Sequence, residues 1–242
     1  MENIYESPRA LGEYLLFHYG SNEEQFPWPD GPLNALEFPR RTVEQLIDYS
    51  GLISKALDVG CAVGGSSFVL SERVDSVLGV DYSASFIRAA RSISKNRELD
   101  YEYHEEAARW KKGKVKILPN SGKVDFEVGD ACNLRDDLGS FDLVHAANLL
   151  CRLPNPRAFL NRLNQLVRPG GQLLLTTPFT WLEEFTSREN WLAEEDSELA
   201  LVQALSPFFK LEYKINMPFL IREHRRKFQY SVALGMRWRR VS

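Results

Sequence analysis

Apolar positions along this chain follow two periods. Short apolar runs at 56–60 (ALDVG), 76–81 (SVLGVD), 124–128 (VDFEV), 141–147 (FDLVHAA) and 171–177 (GQLLLTT) read as strands. Helical spacing fills 64–73 and 83 to about 95, and a further helix starts at Asn155-Pro156 and stops at Pro169-Gly170-Gly171. Short apolar strands alternating with helices imply a parallel sheet covered on both faces. The end of the chain changes period. Phe209, Leu211, Tyr213, Ile215 and Met217 alternate with mostly polar residues, as do Phe228, Tyr230, Val232, Leu234, Met236 and Trp238. Two such runs joined by a short basic segment predict an antiparallel hairpin. At the other end, Ser7-Pro8 is an N-cap and first helical residue. Leu11, Tyr14, Leu15 and His18 share one face of that helix, and Gly20 stops it. The proline- and glycine-rich stretch 21–40 reads as a loop, and a second helix fits 41–49. The charged stretch 97–122 is expected to hold a helix and a loop. The sum is one doubly wound α/β domain with a mostly parallel seven-stranded sheet, a helical cap over 1–53, a core over 54–242, and a C-terminal hairpin.

Composition narrows the function. The chain has 242 residues, 44% hydrophobic and 26% charged, as in an ordinary soluble domain. A net charge of -3 supplies no field to gather a polyanion. The basic segment 222–227, with Arg237, Arg239 and Arg240, is the best local candidate for a nucleic-acid patch, but such a run is more often a solvated turn. Neither nucleic acid nor membrane is an expected partner, the first because of that charge balance and the second because no apolar run is long enough to cross a bilayer. Cys61, Cys132 and Cys151 form no CxxC pair and are odd in number, which favours a reducing compartment. With no signal-peptide pattern at the start, a cytoplasmic protein is expected. His18, His104, His145 and His224 show no metal-ligand spacing, so no metal is expected.

The strongest local signal is ALDVGCAVGGSSF (56–68), a strand that ends in a glycine-rich turn and runs into a helix. Glycine admits a ligand close to the backbone, and the helix N-terminus offers free N–H groups. A dinucleotide fingerprint GxGxxG would place Gly60, Ala62 and Gly65, so its middle glycine is missing. Asp58, two residues before Gly60, resembles the first motif of class I methyltransferases, D/E-x-G-x-G-x-G. Gly60 and Gly64 match that motif and Ala62 departs from it. Asp81 ends the second strand, followed by Tyr82, where a carboxylate can accept from both hydroxyls of a ribose. Asp130 and Ala131, in GDAC after the third strand, fall where that resemblance implies contact with an adenine. Turn cap for Asp58 and helix N-cap for Asp81 are the competing readings. Their joint arrival at three successive strand ends favours the cofactor S-adenosylmethionine.

Substrate belongs beyond the carboxyl ends of the strands. Trp28, Phe179 and Trp181 supply aromatic walls there, Arg41, Arg222 and Arg225 cations, and Glu183, Glu184 and His224 candidate bases. Asn148, just past the fourth strand, is a candidate for the ring or the methionine end of the cofactor. Such a mixture suits a small zwitterion with a flat ring. For the two tryptophans a core role stands at even odds with a binding one, and His18 reads as a satisfied core histidine.

The chain resembles a specific family, the methyltransferase domain of ovothiol biosynthesis (4-mercaptohistidine N1-methyltransferase). The matching stretches are NIYESPRALGEYLLFHYG (3–20), FPWPDGPLNALEFPRRTV (26–43), LDVGCAVGGSSF (57–68), GVDYSASFI (79–87), ANLLCRLPNP (147–156), LTTPFTWLEEFT (175–186) and FLIREHRRKFQ (219–229). The resemblance implies methyl transfer from S-adenosylmethionine to an imidazole nitrogen of 5-thiohistidine, giving ovothiol A. It also implies a functional partner, an iron-dependent sulfoxide synthase that joins cysteine to histidine. That part is absent from these residues, so neither iron nor C–S bond formation is expected here. Arg222 or Arg41 is the expected holder of the substrate's charged groups, and Glu184, Glu183, His224 or water the acceptor of its ring proton. The alternatives are a methyltransferase for another small heterocycle or amine, a non-catalytic cofactor-binding regulator, and an NAD-dependent oxidoreductase.

Overall fold

A computed structural model describes residues 4–118 and 122–241. Asn3, which opens the first matched stretch, lies outside them, as do the first three residues of the predicted cap and 119–121 of the charged stretch. The cap comprises α1 (Pro8–Tyr19), the single turn α2 (Asn22–Gln25) and α3 (Phe38–Glu44). Then follow β1 (Lys55–Val59), α4 (Gly65–Ser71), β2 (Ser76–Asp81), α5 (Ala84–Asn96), β3 (Glu98–Glu106), β4 (Arg109–Lys116) and β5 (Lys123–Val128). The chain ends with β6 (Phe141–Ala147), α6 (Pro156–Leu166), β7 (Val167–Thr177), α7 (Ser197–Leu205), β8 (Phe209–His224) and β9 (Lys227–Arg240). The seven-stranded sheet has the order β5-β2-β1-β6-β7-β9-β8. Its first five strands are parallel and β9 is antiparallel to both neighbours. This is the doubly wound arrangement that the alternating pattern predicts.

Helix starts follow local chemistry. Ser7 Oγ accepts the Ala10 N–H, Ser83 Oγ the Phe86 N–H and Asn155 Oδ1 the Ala158 N–H, each satisfying an otherwise orphaned donor. Within the expected loop, Ser21 and Glu24 form a capping box that makes α2 a helical turn. The second helix begins three residues earlier than expected, at Phe38-Pro39, because proline fits a first helical turn.

The largest departure from expectation is the stretch 97–122. Its described part is a separate two-stranded hairpin, β3–β4, in place of a helix and a loop. Tyr101, Tyr103 and Glu105 are buried on one face, while Asp100 and Glu102 are exposed. That is strand periodicity, masked by charge. Its turn also lacks a glycine or asparagine signal, since Ala107 takes the left-handed conformation (φ 51°). The backbone of β3 lies close against α1: a Cβ on Gly12 would stand 2.2 Å from the Glu102 carbonyl oxygen.

The C-terminal hairpin is longer than its alternating core predicts. Thr177, the last residue of β7, pairs with Leu234, which pairs in turn with Asn216. Beyond that level β8 and β9 project as a free arm for roughly 25 Å, at about 3.3 Å per residue. The arm is covered by the cap. Met217 and Phe219 pack with Phe17, Phe38 and Val43, and Leu220 with Ala35 and Leu36. Near its tip Arg222 forms an ion pair with Glu105 of β3; both side chains are 2% exposed. This pair joins the two hairpins.

The cap also meets the core through His18. Its Nδ1 accepts the Gly65 N–H at 3.1 Å, at the start of α4, a helix with no side-chain cap of its own. Burial pushes the His18 imidazole down to about 4, so the ring stays neutral and able to accept. Among the described residues no helix is long and apolar enough to cross a membrane.

Two outcomes follow. Because His18 is held below its unfolded value near 6.5, its contribution is complete above that pH and is lost as pH falls toward 4. The loss is up to about 3 kcal/mol. Urea unfolding at pH 7.5 and 4.5 will show a smaller acid loss in His18→Gln than in the wild type; equal losses would contradict the assignment. Glu105→Gln strands the Arg222 charge and should cost about 3 kcal/mol, partly recovered by adding Arg222→Met. Chemical denaturation of the single and double variants measures both.

Candidate active site

The carboxyl ends of β1, β2, β5, β6 and β7 lie at one edge of the sheet, and the glycine turn after β1 is at their centre. Gly60 (φ 73°), Ala62 (φ 48°) and Gly64 (φ 89°) all adopt left-handed backbone. Ala62 therefore takes the conformation for which the motif uses glycine, with one methyl added. The Gly60 and Cys61 N–H groups both donate to the Val80 carbonyl, which lashes the turn to β2.

Two carboxylates hold this turn from opposite sides. Asp58 is 1% exposed. One of its oxygens accepts from Ser67 Oγ at 2.6 Å and the other from His145 Nδ1 at 2.7 Å. His145 Nε2 is 3.0 Å from Thr42 Oγ1 of α3. The expected contact of Asp58 with cofactor is therefore corrected. The side chain is sealed from solvent and braces the turn from below, tying β1 to α4 and β6. Asp81, at the tip of β2, accepts the Ala62 N–H at 2.8 Å and the Ser83 N–H at 2.9 Å. Burial raises its carboxyl to about 6, with the two N–H donors pulling the other way. It is a strand-end acceptor fixed on both oxygens. The helix cap of α5 is Ser83 itself, so the N-cap reading of Asp81 is not needed.

Around this centre, Tyr82 is 68% exposed. Asp130 Oδ1 accepts the Cys132 N–H at 2.8 Å, which shapes the short turn carrying the buried Ala131. Asn148 is left-handed (φ 52°), and its Oδ1 accepts from Thr176 Oγ1 at 2.9 Å. Asp81, Asp130 and Asn148 thus stand at the ends of β2, β5 and β6.

The substrate assignments fare differently. Arg222 is buried and paired with Glu105, and its Nη1 donates to the Glu24 carbonyl. Arg41 donates to the carbonyls of Leu36 and Pro218 and clamps the cap to the arm. The Arg222 charge is spent on Glu105, and Arg41 serves to hold the cap to the arm. The guanidinium groups of Arg225 and Arg226 lie 5.1 and 5.0 Å from the Trp28 ring centre, and Trp28 Nε1 donates to the Arg225 carbonyl. His224 sits at the tip of the arm, with Nδ1 accepting the Arg226 N–H and its ring 5.8 Å from that of His104. These four residues belong to the arm and its cover. The topological rule selects the correct end of the sheet, but the arm carries its tip well past it.

On the β7 side, Trp181 stacks near-parallel on Trp191 at 6.4 Å and donates Nε1 to Ser197 Oγ, which makes it a structural link to α7. Phe179 is left-handed (φ 51°) and packs against the main core. Glu183 and Glu184 are exposed and hold no hydrogen bond or ion pair with a described residue. A general base has to be positioned before it can act, and no described residue positions these two.

Sequence reasoning singled out as a site residue none of the four side chains that meet beside these strand ends. Tyr5 stacks on Phe185 at 6.3 Å and meets Tyr14 edge-on at 5.8 Å, and the Arg152 guanidinium lies 4.8 Å from the Phe185 ring centre. No spacing rule links positions 5, 14, 152 and 185, although each falls inside a stretch that carries the family resemblance. A separate groove of 660 Å³, lined by Leu11, Arg88, Tyr101 and Trp110 among others, lies between α1, α5 and β3–β4, away from these strand ends. No group of three or more histidine, cysteine or acidic side chains among the described residues could hold a metal.

Comparison with known proteins agrees with this architecture. The chain is 27% identical over 179 residues to the ubiquinone biosynthesis O-methyltransferase of Pseudomonas aeruginosa, covering 73% of this chain and 65% of that protein. It is 25% identical over 181 residues to phosphoethanolamine N-methyltransferase 1 of Arabidopsis thaliana, covering 73% of this chain and 31% of the plant protein. The chain thus spans less than two thirds of the length of either relative. The structure of the N-methyltransferase NodS from Bradyrhizobium japonicum in complex with S-adenosyl-L-homocysteine superposes with a TM-score of 0.55 at 17% identity, covering 93% of this chain and 100% of that one. Residues 33–213 match the family described as methyltransferase domain, and the chain belongs to that family.

Proposed function

We propose that this protein is an S-adenosylmethionine-dependent N-methyltransferase that methylates an imidazole nitrogen of 5-thiohistidine to give ovothiol A. One observation carries the reading. Three stretches that resemble the ovothiol family outside its shared cofactor motif, 3–20, 147–156 and 175–186, meet through Tyr5, Tyr14, Arg152 and Phe185 beside the strand ends. Relatives that methylate oxygen and relatives that methylate nitrogen are both named among the matches, so the acceptor rests on that convergence and on the resemblance.

The residues present fit the cofactor. At Gly60, Ala62 and Gly64 the turn carries nothing larger than a methyl, its Cys61 and Val63 side chains being buried, and Asp81 stands at its rim with spare lone pairs for two ribose hydroxyls. Asp130, Ala131 and Tyr82 would flank the adenine and Asn148 the methionine end. Asp58 acts at one remove, by holding the turn in shape. When bound, the cofactor would supply an electrophilic methyl on a sulfonium to a nitrogen lone pair, its sulfur becoming a neutral thioether. The protein's contribution is orientation and exclusion of water. The ring proton leaves to water, before or after binding, since the described residues place no fixed base at the site. The acceptor's C–S bond has to be made elsewhere, which is the place of an iron-dependent sulfoxide synthase.

Incubation with S-adenosylmethionine and, separately, 5-thiohistidine, histidine and simple amines tests the acceptor. Methylated 5-thiohistidine is expected. Turnover of histidine or an amine alone would replace the substrate, and cofactor binding without any product would favour a regulatory module. Asp81 gives a sharper outcome. Only the ionised carboxylate accepts from both ribose hydroxyls, so affinity for S-adenosylhomocysteine should fall as pH drops below about 6. Asp81→Asn should weaken binding by about 1.5–3 kcal/mol and flatten that pH dependence. Calorimetry at pH 5, 6 and 7.5 measures both.

A further inference from the structure

Resting on the methyltransferase reading of the strand-end site, we infer that Arg152, walled by Tyr5, Tyr14 and Phe185, anchors a carboxylate on the methyl acceptor. Arg152 ends the short turn Leu150–Arg152 that follows β6. Its Nη1 donates to the Cys151 and Thr180 carbonyls, both at 3.1 Å, which fixes the guanidinium plane over Phe185. Two other buried or half-buried arginines have their charge spent on carboxylates: Arg222 on Glu105, and Arg239 on Asp48 and Glu212. Arg152 forms an ion pair with no carboxylate of the described residues. A guanidinium held rigid among aromatic rings, with no carboxylate partner among the described residues, is a site for an anion that the ligand brings.

The walls come from the chain's N-terminal segment. Ser83 Oγ donates to the Tyr5 carbonyl at 3.3 Å, and the Ser85 N–H donates to the Glu6 carboxylate at 3.2 Å. These bonds strap residues 5 and 6 to the start of α5, next to Asp81. From there the Tyr5 ring reaches across to Phe185, in the loop after β7. The strap therefore spans the strand ends from β2 to β7. Tyr14 rests on Phe86 at 4.8 Å and closes the same side. Burial raises both phenols above their ordinary value, so each keeps its proton at neutral pH and the walls stay uncharged.

The arginine faces acceptor rather than cofactor because of its side of the sheet. β6 lies between β1 and β7. Arg152 bonds to Thr180 and stacks on Phe185, both beyond β7, whereas the glycine turn is on the β1 side. Flat walls on either hand and one guanidinium fit a planar heterocycle bearing a carboxylate, which includes an amino acid with an aromatic side chain.

The test compares wild type with Arg152→Gln and Arg152→Lys, each first checked by thermal melting. The acceptors are 5-thiohistidine and its decarboxylated amine. The wild type should prefer the acid by about tenfold or more in kcat/KM, and Arg152→Gln should reduce the preference to within about threefold. Arg152→Lys, which keeps charge without the planar fork, should fall between. Affinity for S-adenosylhomocysteine should be unchanged in all three. Retained preference in Arg152→Gln overturns the assignment, as does lost cofactor affinity with the preference intact, since the arginine would then hold the cofactor's own carboxylate. If the wild type methylates neither compound, the 5-thiohistidine reading fails and the anion site is read by binding alone. Protein saturated with S-adenosylhomocysteine should then be stabilised more by imidazole-4-acetate than by its amide, and the difference should vanish in Arg152→Gln. Equal stabilisation of the wild type by acid and amide overturns the inference.

Discussion

The structure turns on one buried carboxylate. Asp58 has no contact with solvent, and its two oxygens are divided between the Ser67 hydroxyl of α4 and the His145 imidazole of β6. Through His145 the network continues to Thr42 in α3. An unpartnered carboxylate in that position would be very costly, so its partners have to be in place before the site can exist. The requirement aligns the strand that enters the turn, the helix that leaves it, the neighbouring strand and the cap. Gly60, Ala62 and Gly64 are then held in left-handed backbone that an isolated turn would not keep. Asp81 completes the arrangement from the solvent side by accepting the Ala62 N–H. The two acids have different places: Asp58 supports the turn from beneath, and Asp81 stands at its rim, where under the proposed function it would face the cofactor.

Cap and arm extend the same logic outward. α1 contributes His18 to the start of α4 and Tyr14 to the wall of the site. The projecting β8–β9 arm covers the cap's other side, and the Arg222–Glu105 pair ties the arm to β3–β4. Residues that look available in sequence are consumed in this scaffolding. Arg152, after the end of β6, has no carboxylate partner among the described residues and lies under a strap formed by the first of them.

The sheet was legible because burial on both faces leaves uninterrupted apolar runs. The limits of 76–81 and 141–147 agree with β2 and β6 to the residue. The β3–β4 hairpin was hidden because its solvent face is charged and its inner face includes tyrosines and Glu105, so helix and strand periods looked alike. In the site, Asp81, Asp130 and Asn148 could be placed from strand ends alone, since a strand fixes where its last residue points. Arg41, Arg222, Trp28 and His224 could not. Their roles are set by partners far away in sequence, such as Glu105 for Arg222 and Pro218 for Arg41, and no local pattern reports those distances. Trp181 illustrates the same limit, since stacking on Trp191 decides its role.

The central claim is that this braced turn, with Asp81 at its rim, is a seat for the nucleoside of S-adenosylmethionine rather than for a dinucleotide. Calorimetric titration of the purified chain with S-adenosylhomocysteine and, separately, with NAD at neutral pH tests it most directly. The account predicts saturable one-to-one binding of S-adenosylhomocysteine and no heat from NAD. Binding of NAD in preference to S-adenosylhomocysteine, or of neither, would contradict it.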